Sequence, residues 1–251
     1  MSPAHRTPAT RELVLIRHGE STANVAREEA EAAHAEVINV SARDADVPLS
    51  ELGRAQAAAV GRWLAGYRAD GDDLRVWASP YARARTTAEL AMRVAGDDAA
   101  LRVDERLRDR ELGILDTLTM HGVQARFPQE WERRRWLGKF YYRAPGGESW
   151  ADMTLRIRSF LADTAAAGRL VVFTHDAMVM LFRYVCENLD EKTLLDLSRA
   201  NMIANASVTR LLVGADGPWC VAEFNEQSHL IGPDGTDLRT DHPADADVHP
   251  R

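Results

Sequence analysis

The stretch Glu12-Leu13-Val14-Leu15-Ile16-Arg17-His18-Gly19-Glu20 decides how this chain is read. Four apolar residues, preceded by Arg11-Glu12, fit a short buried strand over residues 12–17. The strand ends on a cation and an imidazole, and the glycine after them predicts a sharp backbone turn. In open α/β sheets, ligands bind in the crevice beyond the strand C-termini. A neutral imidazole held among arginines is a nucleophile for phosphorus, and the arginines neutralise phosphoryl oxygens. The strand end therefore points to transfer of a phosphoryl group to His18.

Working outward, the pattern alternates between strand and helix. Helices are expected over 21–38, from Ser50 to about Trp63, over Tyr81–Val94, Ser149–Thr164 and His175–Asn188. Strands are expected over 74–78, near 101–103, over 170–174, and as a closing pair at 207–213 and 219–224 joined through Gly214-Ala215-Asp216-Gly217. Short helices are expected within 117–143. This order predicts an α/β chain, a three-layer α/β/α sandwich around a mostly parallel sheet. The expected division is a flexible tail over 1–10, one domain over 11–230 with a cap segment at about 114–148, and a disordered acidic tail over 231–251. That last stretch holds five Asp and three Pro in its final twenty residues and little that could be buried.

Composition narrows the function. The 251 residues are 45% hydrophobic, enough for a sizeable core, and carry a net charge of -7 from 38 acidic and 31 basic residues. With that acidic balance neither nucleic acid nor an anionic membrane is expected as a partner, while an anion site needs only local positive charge. The two cysteines, Cys186 and Cys220, have no metal-ligand spacing and are expected to be reduced. Residues 1–10 lack the apolar stretch of a signal peptide, and no run approaches the ~18 apolar residues of a membrane span. The expectation is a cytoplasmic enzyme acting on a small phosphorylated substrate, with no metal and no cofactor, and with a homodimer left open.

Two further segments repeat the chemistry of the first strand. Ala78-Ser79-Pro80 turns a strand into a helix whose first turn holds Arg83, able to clamp a phosphate bidentately. Arg85, about 200° further round the helix, faces elsewhere. Leu170-Val171-Val172-Phe173-Thr174 ends in His175-Asp176, a second imidazole placed by a parallel strand on the same rim as His18. A histidine nucleophile also needs an acid for the leaving oxygen. Leu107-Arg108-Asp109-Arg110-Glu111-Leu112-Gly113 supplies two carboxylates, either of which could serve, with a pKa that burial beside a phosphate would raise. The stretch 117–143 interleaves Phe127, Trp131, Trp136, Phe140, Tyr141 and Tyr142 with Arg126 and Arg133-Arg134-Arg135, and is expected above the crevice as a cap that sets specificity.

The string Arg17-His18-Gly19-Glu20-Ser21-x-x-Asn24 resembles the signature of the histidine phosphatase superfamily, which includes cofactor-dependent phosphoglycerate mutases, fructose-2,6-bisphosphatases and many broad phosphatases. The resemblance extends over roughly 11–225. It implies that Arg17, Arg83 and His175 clamp the phosphoryl group, and that Ser21 and Asn24 are polar contacts of the phosphate loop. Glu20 is implied at the same loop, orienting Arg17 or His18 more than touching substrate. Counting back from Gly113, the resemblance puts the acid/base at Asp109 in preference to Glu111. Pro48-Leu49-Ser50-x-x-Gly53-x-x-Gln56 resembles a family helix that is mostly structural. Arg143-Ala144-Pro145-Gly146-Gly147-Glu148-Ser149 resembles a substrate-contacting loop and implies a role for Arg143, although Ser149 with Asp152 also makes a plain capping pattern. Two departures stand out: Thr86 where glutamine is common, and Asp176 where glycine is usual. The implied function is hydrolysis of phosphate monoesters of small metabolites through a phosphohistidine. The alternatives are a phosphoglycerate mutase and, from another class, a catalytically weak phospho-ligand binding or scaffold protein.

Overall fold

The computed structural model describes residues 12–67, 74–165, 168–213, 218–232 and 234–240. The expected tail at 1–10, the turn at 214–217 and the end of the chain from 241 lie outside the described residues. Six strands form one sheet in the order β3-β2-β4-β1-β5-β6: β1 (Glu12–Arg17), β2 (Leu74–Ala78), β3 (Arg102–Val103), β4 (Arg169–Thr174), β5 (Val208–Val213) and β6 (Trp219–Glu226). The first four are parallel. β5 runs antiparallel to β1, and β6 antiparallel to β5.

The register follows from the apolar runs. Leu13 and Leu15 of β1, with Leu170 and Val172 of β4, enter one core; Val14, Ile16, Val171 and Phe173 enter the other. A strand buried on both faces reads as a continuous apolar run, as Leu13–Ile16 and Leu170–Phe173 do. The first core is covered by α6 (Trp150–Thr164), α7 (Asp176–Cys186) and α8 (Glu191–Ala200), the second by α2 (Glu51–Tyr67) and α3 (Ala82–Ala95). Those are the three layers expected. The helix over 191–200 was not anticipated, though its signal is legible: Asp190 caps it by accepting from the Thr193 N–H at 2.7 Å.

Several boundaries shift for local reasons. α1 spans Thr22–Ala32, shorter than the 21–38 expected, because the chain breaks out through His34 at φ 49°. Its start is a capping box between Ser21 and Asn24, and α6 starts on the same device between Ser149 and Asp152. The cap carries α4 (Met120–Arg126) and α5 (Pro128–Tyr141); α5 is broken at Gly138, whose φ of 78° is left-handed.

The disordered tail expected over 231–251 is corrected for residues 231–232 and 234–240. Leu238 packs on the second core, its N–H donates to the Leu230 carbonyl at 2.9 Å, and its carbonyl accepts from Gln56 Nε2 at 2.8 Å. Ile231 bridges Asp237, and Thr240 Oγ1 donates to Asn205 Oδ1 at 3.3 Å. One half-buried leucine and a few hydrogen bonds to fixed partners hold a segment whose composition alone could not order it.

Candidate active site

β1 and β4 are neighbours, with Arg17 opposite Thr174, so the two strand ends put His18 and His175 side by side. Their ring centroids are 5.3 Å apart, and both residues are fully buried. His18 Nδ1 lies 2.7 Å from the Gly19 carbonyl. A carbonyl can only accept, so the proton sits on Nδ1 and the lone pair on Nε2. Nε2 has no hydrogen-bond partner among the described residues. Burial, followed by the charges of Arg83, His175 and Arg17, holds the His18 pKa well below the ordinary imidazole value, so the ring is neutral at pH 7. Asn205 Nδ2 and the Ala206 N–H fix the His18 carbonyl at 3.2 and 3.0 Å.

Gly19 is not left-handed; the turn needs glycine there for close approach. A Cβ at Gly19 would stand 2.5 Å from the Gly53 carbonyl oxygen, and one at Gly53 would stand 1.9 Å from that of Glu20. The loop after β1 lies directly on the start of α2.

Around the nucleophile, Arg17 is fully buried and donates through Nη1 to the Ile203 carbonyl, while its Nε and Nη2 have no partner among the described residues. Arg83 lies in the first turn of α3. Its Nη2 donates to Asp109 Oδ2 at 2.8 Å, and its Nη1 to Asp44 Oδ1 at 2.9 Å and to the Asp44 carbonyl at 2.7 Å. His175 Nδ1 lies 3.1 Å from the same Asp109 oxygen, and its Nε2 lies 2.8 Å from Ser79 Oγ. The Arg110 N–H donates to Asp109 Oδ1 at 2.8 Å. Arg85 points away, half exposed beside Glu89.

Asp109 is thus brought into the site and Glu111 is not. Glu111 is half exposed and accepts from the Tyr81 hydroxyl at 3.0 Å. The protein's own groups act on the Asp109 pKa in the direction opposite to the one expected of a phosphate. Burial alone would raise it, but His175, Arg83 and the Arg110 N–H outweigh burial and hold it well below the usual carboxylate value. The loop bearing Asp109 is held by Arg156, whose Nη2 donates to the Asp109 carbonyl at 3.1 Å and whose Nη1 donates to the Arg108 carbonyl at 2.9 Å.

The remaining expected residues divide. Ser21 lines the cleft, together with Arg27, Asp44, Arg83, Asp109, Asp116 and Asp176. Asn24 does not line it. Its side chain closes the capping box, with Oδ1 accepting from the Ser21 N–H at 3.0 Å. Glu20 is buried and accepts from the Ser50 hydroxyl, which ties the loop to α2 without facing the cleft. Arg143 is not brought to the site either: its side chain is 61% exposed and pairs with Asp152 at the start of α6. The cap aromatics also depart from expectation. Phe127, Trp131 and Tyr142 form a small core of the cap itself, Phe140 enters the first main core, and Trp136 is 85% exposed.

Sequence reasoning missed Asp44, Ser79, Asn205 and Arg156. Ser79 alone left a signal, in the Ser-Pro turn; the others reach the site from 39, 187 and 47 positions away from their partners.

Comparison with known proteins agrees with this geometry. The profile of the histidine phosphatase superfamily (branch 1) matches residues 13–226. The chain belongs to that superfamily and is a phosphatase, a hydrolase, of its class. It is 28% identical over 244 residues to the phosphoglycerate mutase-like protein AT74H of Arabidopsis thaliana, covering 87% of this chain and 80% of that one. It is 27% identical over 169 residues to the 6-phosphofructo-2-kinase/fructose-2,6-bisphosphatase of Caenorhabditis elegans, covering 67% of this chain and 32% of that longer protein. Among solved structures it resembles a mycobacterial glucosyl-3-phosphoglycerate phosphatase in complex with VO3, with a TM-score of 0.66 and 26% identity over 86% of this chain and 99% of the other.

Proposed function

We propose that this phosphatase hydrolyses phosphate monoesters of small metabolites by way of a phosphohistidine at His18. The observation that carries the reading is the His18 ring: neutral, with its proton committed to Gly19 through Nδ1 and an unpartnered Nε2 beside an arginine with two unpartnered donor atoms. Nε2 attacks phosphorus and the bond to the alcohol oxygen breaks. Asp109 gives that oxygen its proton, then takes one from the water that attacks the phosphohistidine, so inorganic phosphate leaves and His18 is neutral again. Arg17, Arg83 and His175 stabilise the transferring oxygens. A bound phosphoryl group engages Arg83 and His175 and adds negative charge beside Asp109, which raises its pKa towards acid duty.

The relatives support hydrolysis: the solved neighbour is named a phosphatase, and the bifunctional relatives carry a bisphosphatase name. The mutase-like name of the plant relative keeps mutase activity as a second reading. The charge work falls to arginines in this reading, so no metal takes part. We place the enzyme in the cytoplasm on its composition and on two free cysteines, with a homodimer open; no described helix is long and apolar enough to cross a membrane.

The test is phosphate release from a panel of phosphorylated sugars, nucleotides and acids, run against mutase activity on 3-phosphoglycerate. His18→Ala is expected to lower turnover by at least about a thousandfold, and excess EDTA to change it by less than about twofold. A His18→Ala variant within tenfold of wild type would end the phosphohistidine reading. Loss of activity on chelation, restored by added metal, would end the metal-free one.

A further inference from the structure

The Ser-Pro turn after β2 delivers Tyr81 to the head of α3, where it takes the capping position with an extended backbone. Arg83 follows in the first turn of the helix. Helical side chains lean towards the helix N-terminus, so the Arg83 side chain folds back over the residue that precedes the helix. Its guanidinium carbon stands 4.9 Å from the centroid of the Tyr81 ring. The same ring meets the His175 ring at 73°, with centroids 5.3 Å apart. One buried aromatic side chain thus touches two of the groups that clamp the phosphoryl group in the reading above.

Tyr81 is itself held at both ends. Its N–H donates to Ser79 Oγ at 3.2 Å, and that oxygen lies 2.8 Å from His175 Nε2. Its hydroxyl donates to Glu111 Oε1 at 3.0 Å, on the loop that carries Asp109. The ion pairs on Arg83 are of a different kind. Asp109 Oδ2 and Asp44 Oδ1 pair with it at 2.8 and 2.9 Å. A phosphoryl dianion brought to Arg83 competes with both carboxylates and repels them. The Asp44 carbonyl, 2.7 Å from Nη1, is uncharged, but its residue lies on a short turn with the side chain 37% exposed. An aromatic ring is neutral, and its face attracts a guanidinium whether or not an anion is bound; removal from water strengthens that attraction.

We propose that Tyr81 is a positioning residue for phosphoryl transfer, its ring face keeping the Arg83 guanidinium in place beside His175 as the phosphoryl group displaces the carboxylates. This rests on the phosphatase reading of the His18 site and adds a residue to it. Tyr81 acts through Arg83 and His175 and does not itself touch the reacting atoms.

The experiment measures the Kd of inorganic phosphate by titration calorimetry, together with kcat and KM on p-nitrophenyl phosphate, in wild type, Tyr81→Leu and Tyr81→Phe. Tyr81→Leu removes the ring and is expected to raise Kd and KM by about tenfold, the size of a desolvated cation–π contact. Tyr81→Phe keeps the ring and is expected to restore both to within about threefold of wild type. A third variant carries 3,4,5-trifluorophenylalanine at position 81, which keeps the shape of phenylalanine and weakens its face; its Kd is expected to lie severalfold above that of Tyr81→Phe. A loss of folded protein lowers apparent kcat and leaves Kd where it was, so Kd separates positioning from folding. A Tyr81→Leu Kd within twofold of wild type overturns the proposal. So does a Tyr81→Phe Kd as high as that of Tyr81→Leu, which would assign the effect to the bond with Glu111. Where Tyr81→Leu fails to fold, the fluorinated ring decides, and a Kd equal to that of Tyr81→Phe overturns the proposal. Phosphate binding without turnover in wild type removes the phosphatase reading, and the Kd series still judges Tyr81.

Discussion

At His18 the chemistry depends on which ring nitrogen holds the proton, and a backbone carbonyl decides it. The depressed pKa that follows from burial and three neighbouring cations makes two measurements predictable. The unfolded ring titrates near ~6.5 and the folded ring well below, so between those values the unfolded chain binds more protons. Stability from His18 is therefore present above about pH 6.5 and lost as pH falls towards the folded value. Urea unfolding between pH 7.5 and 5.5 is expected to show a smaller loss of stability in His18→Gln than in wild type; equal losses would refute it. Asp109 acts in the same direction at lower pH, its folded pKa being held below the ordinary carboxylate value. Its proton makes the second prediction of this scale. Asp109→Asn is expected to slow sugar phosphates at least about tenfold more than p-nitrophenyl phosphate, because an alkoxide needs protonation as it leaves and a nitrophenolate barely does. Glu111→Gln, at a side chain turned to Tyr81, is expected to show no such split; the opposite result would reverse the assignment.

Between elements, glycines set how closely the loops and helices approach. Gly53 at the start of α2 meets the Glu20 carbonyl so closely that a Cβ would lie 1.9 Å from it, and Gly61 further along meets the Ala91 carbonyl, where a Cβ would lie 2.5 Å away. Gly66 near the end of the same helix has nothing within 4 Å. Gly53→Ala is expected to cost about 1–3 kcal/mol and to lower activity by shifting the loop that carries His18. Gly66→Ala is expected to stabilise by about 0.4–1 kcal/mol, since a helical position with free space gains from a smaller unfolded ensemble. Thermal unfolding of the two variants, with their turnover, checks the pair; a neutral Gly53→Ala would refute the close-contact account. The acid loop is built in the same way. Gly113, at φ 56°, lies against the Pro145 carbonyl, and Ile114 N–H donates to that carbonyl at 3.0 Å. The Gly-Gly-Glu-Ser loop therefore packs against the loop that carries Asp109.

Across the whole molecule, the sheet order brings remote segments to one rim. β4 lies between β2 and β1, so His175 stands between the Ser79 turn and His18. The segment after β6 then closes the second core and reaches Asn205, which holds the His18 carbonyl. A chain ending at Ile231 is expected to lose about 1–2 kcal/mol, from part of the Leu238 burial and its hydrogen bonds, and to lose rate as Asn205 loosens. At this size that corresponds to about 2–4 °C of Tm for each kcal/mol. An unchanged Tm and rate would show that the segment only rests on the surface.

The amino-acid sequence by itself determined the parallel apolar strands, the layer count, the placing of His18 and His175 at strand ends, and that of Arg83 in the first turn of a helix. Those are consequences of local pattern: an apolar run buries, its end faces the crevice, and the residue there faces with it. It also narrowed the acid to two neighbouring carboxylates. The tertiary structure decided which of the two enters the site, since Arg83 and His175 converge on Asp109 from separate elements. It turned Asn24, Glu20 and Arg143 into supports at helix starts, and it recruited Asp44, Asn205 and Arg156. It ordered residues 234–240 against a core that composition could not foresee. The reason is the same in each case. Local pattern governs what a segment becomes, whereas charge pairing, close approach and pKa depend on which distant segments share a space, and only the folded chain brings those together.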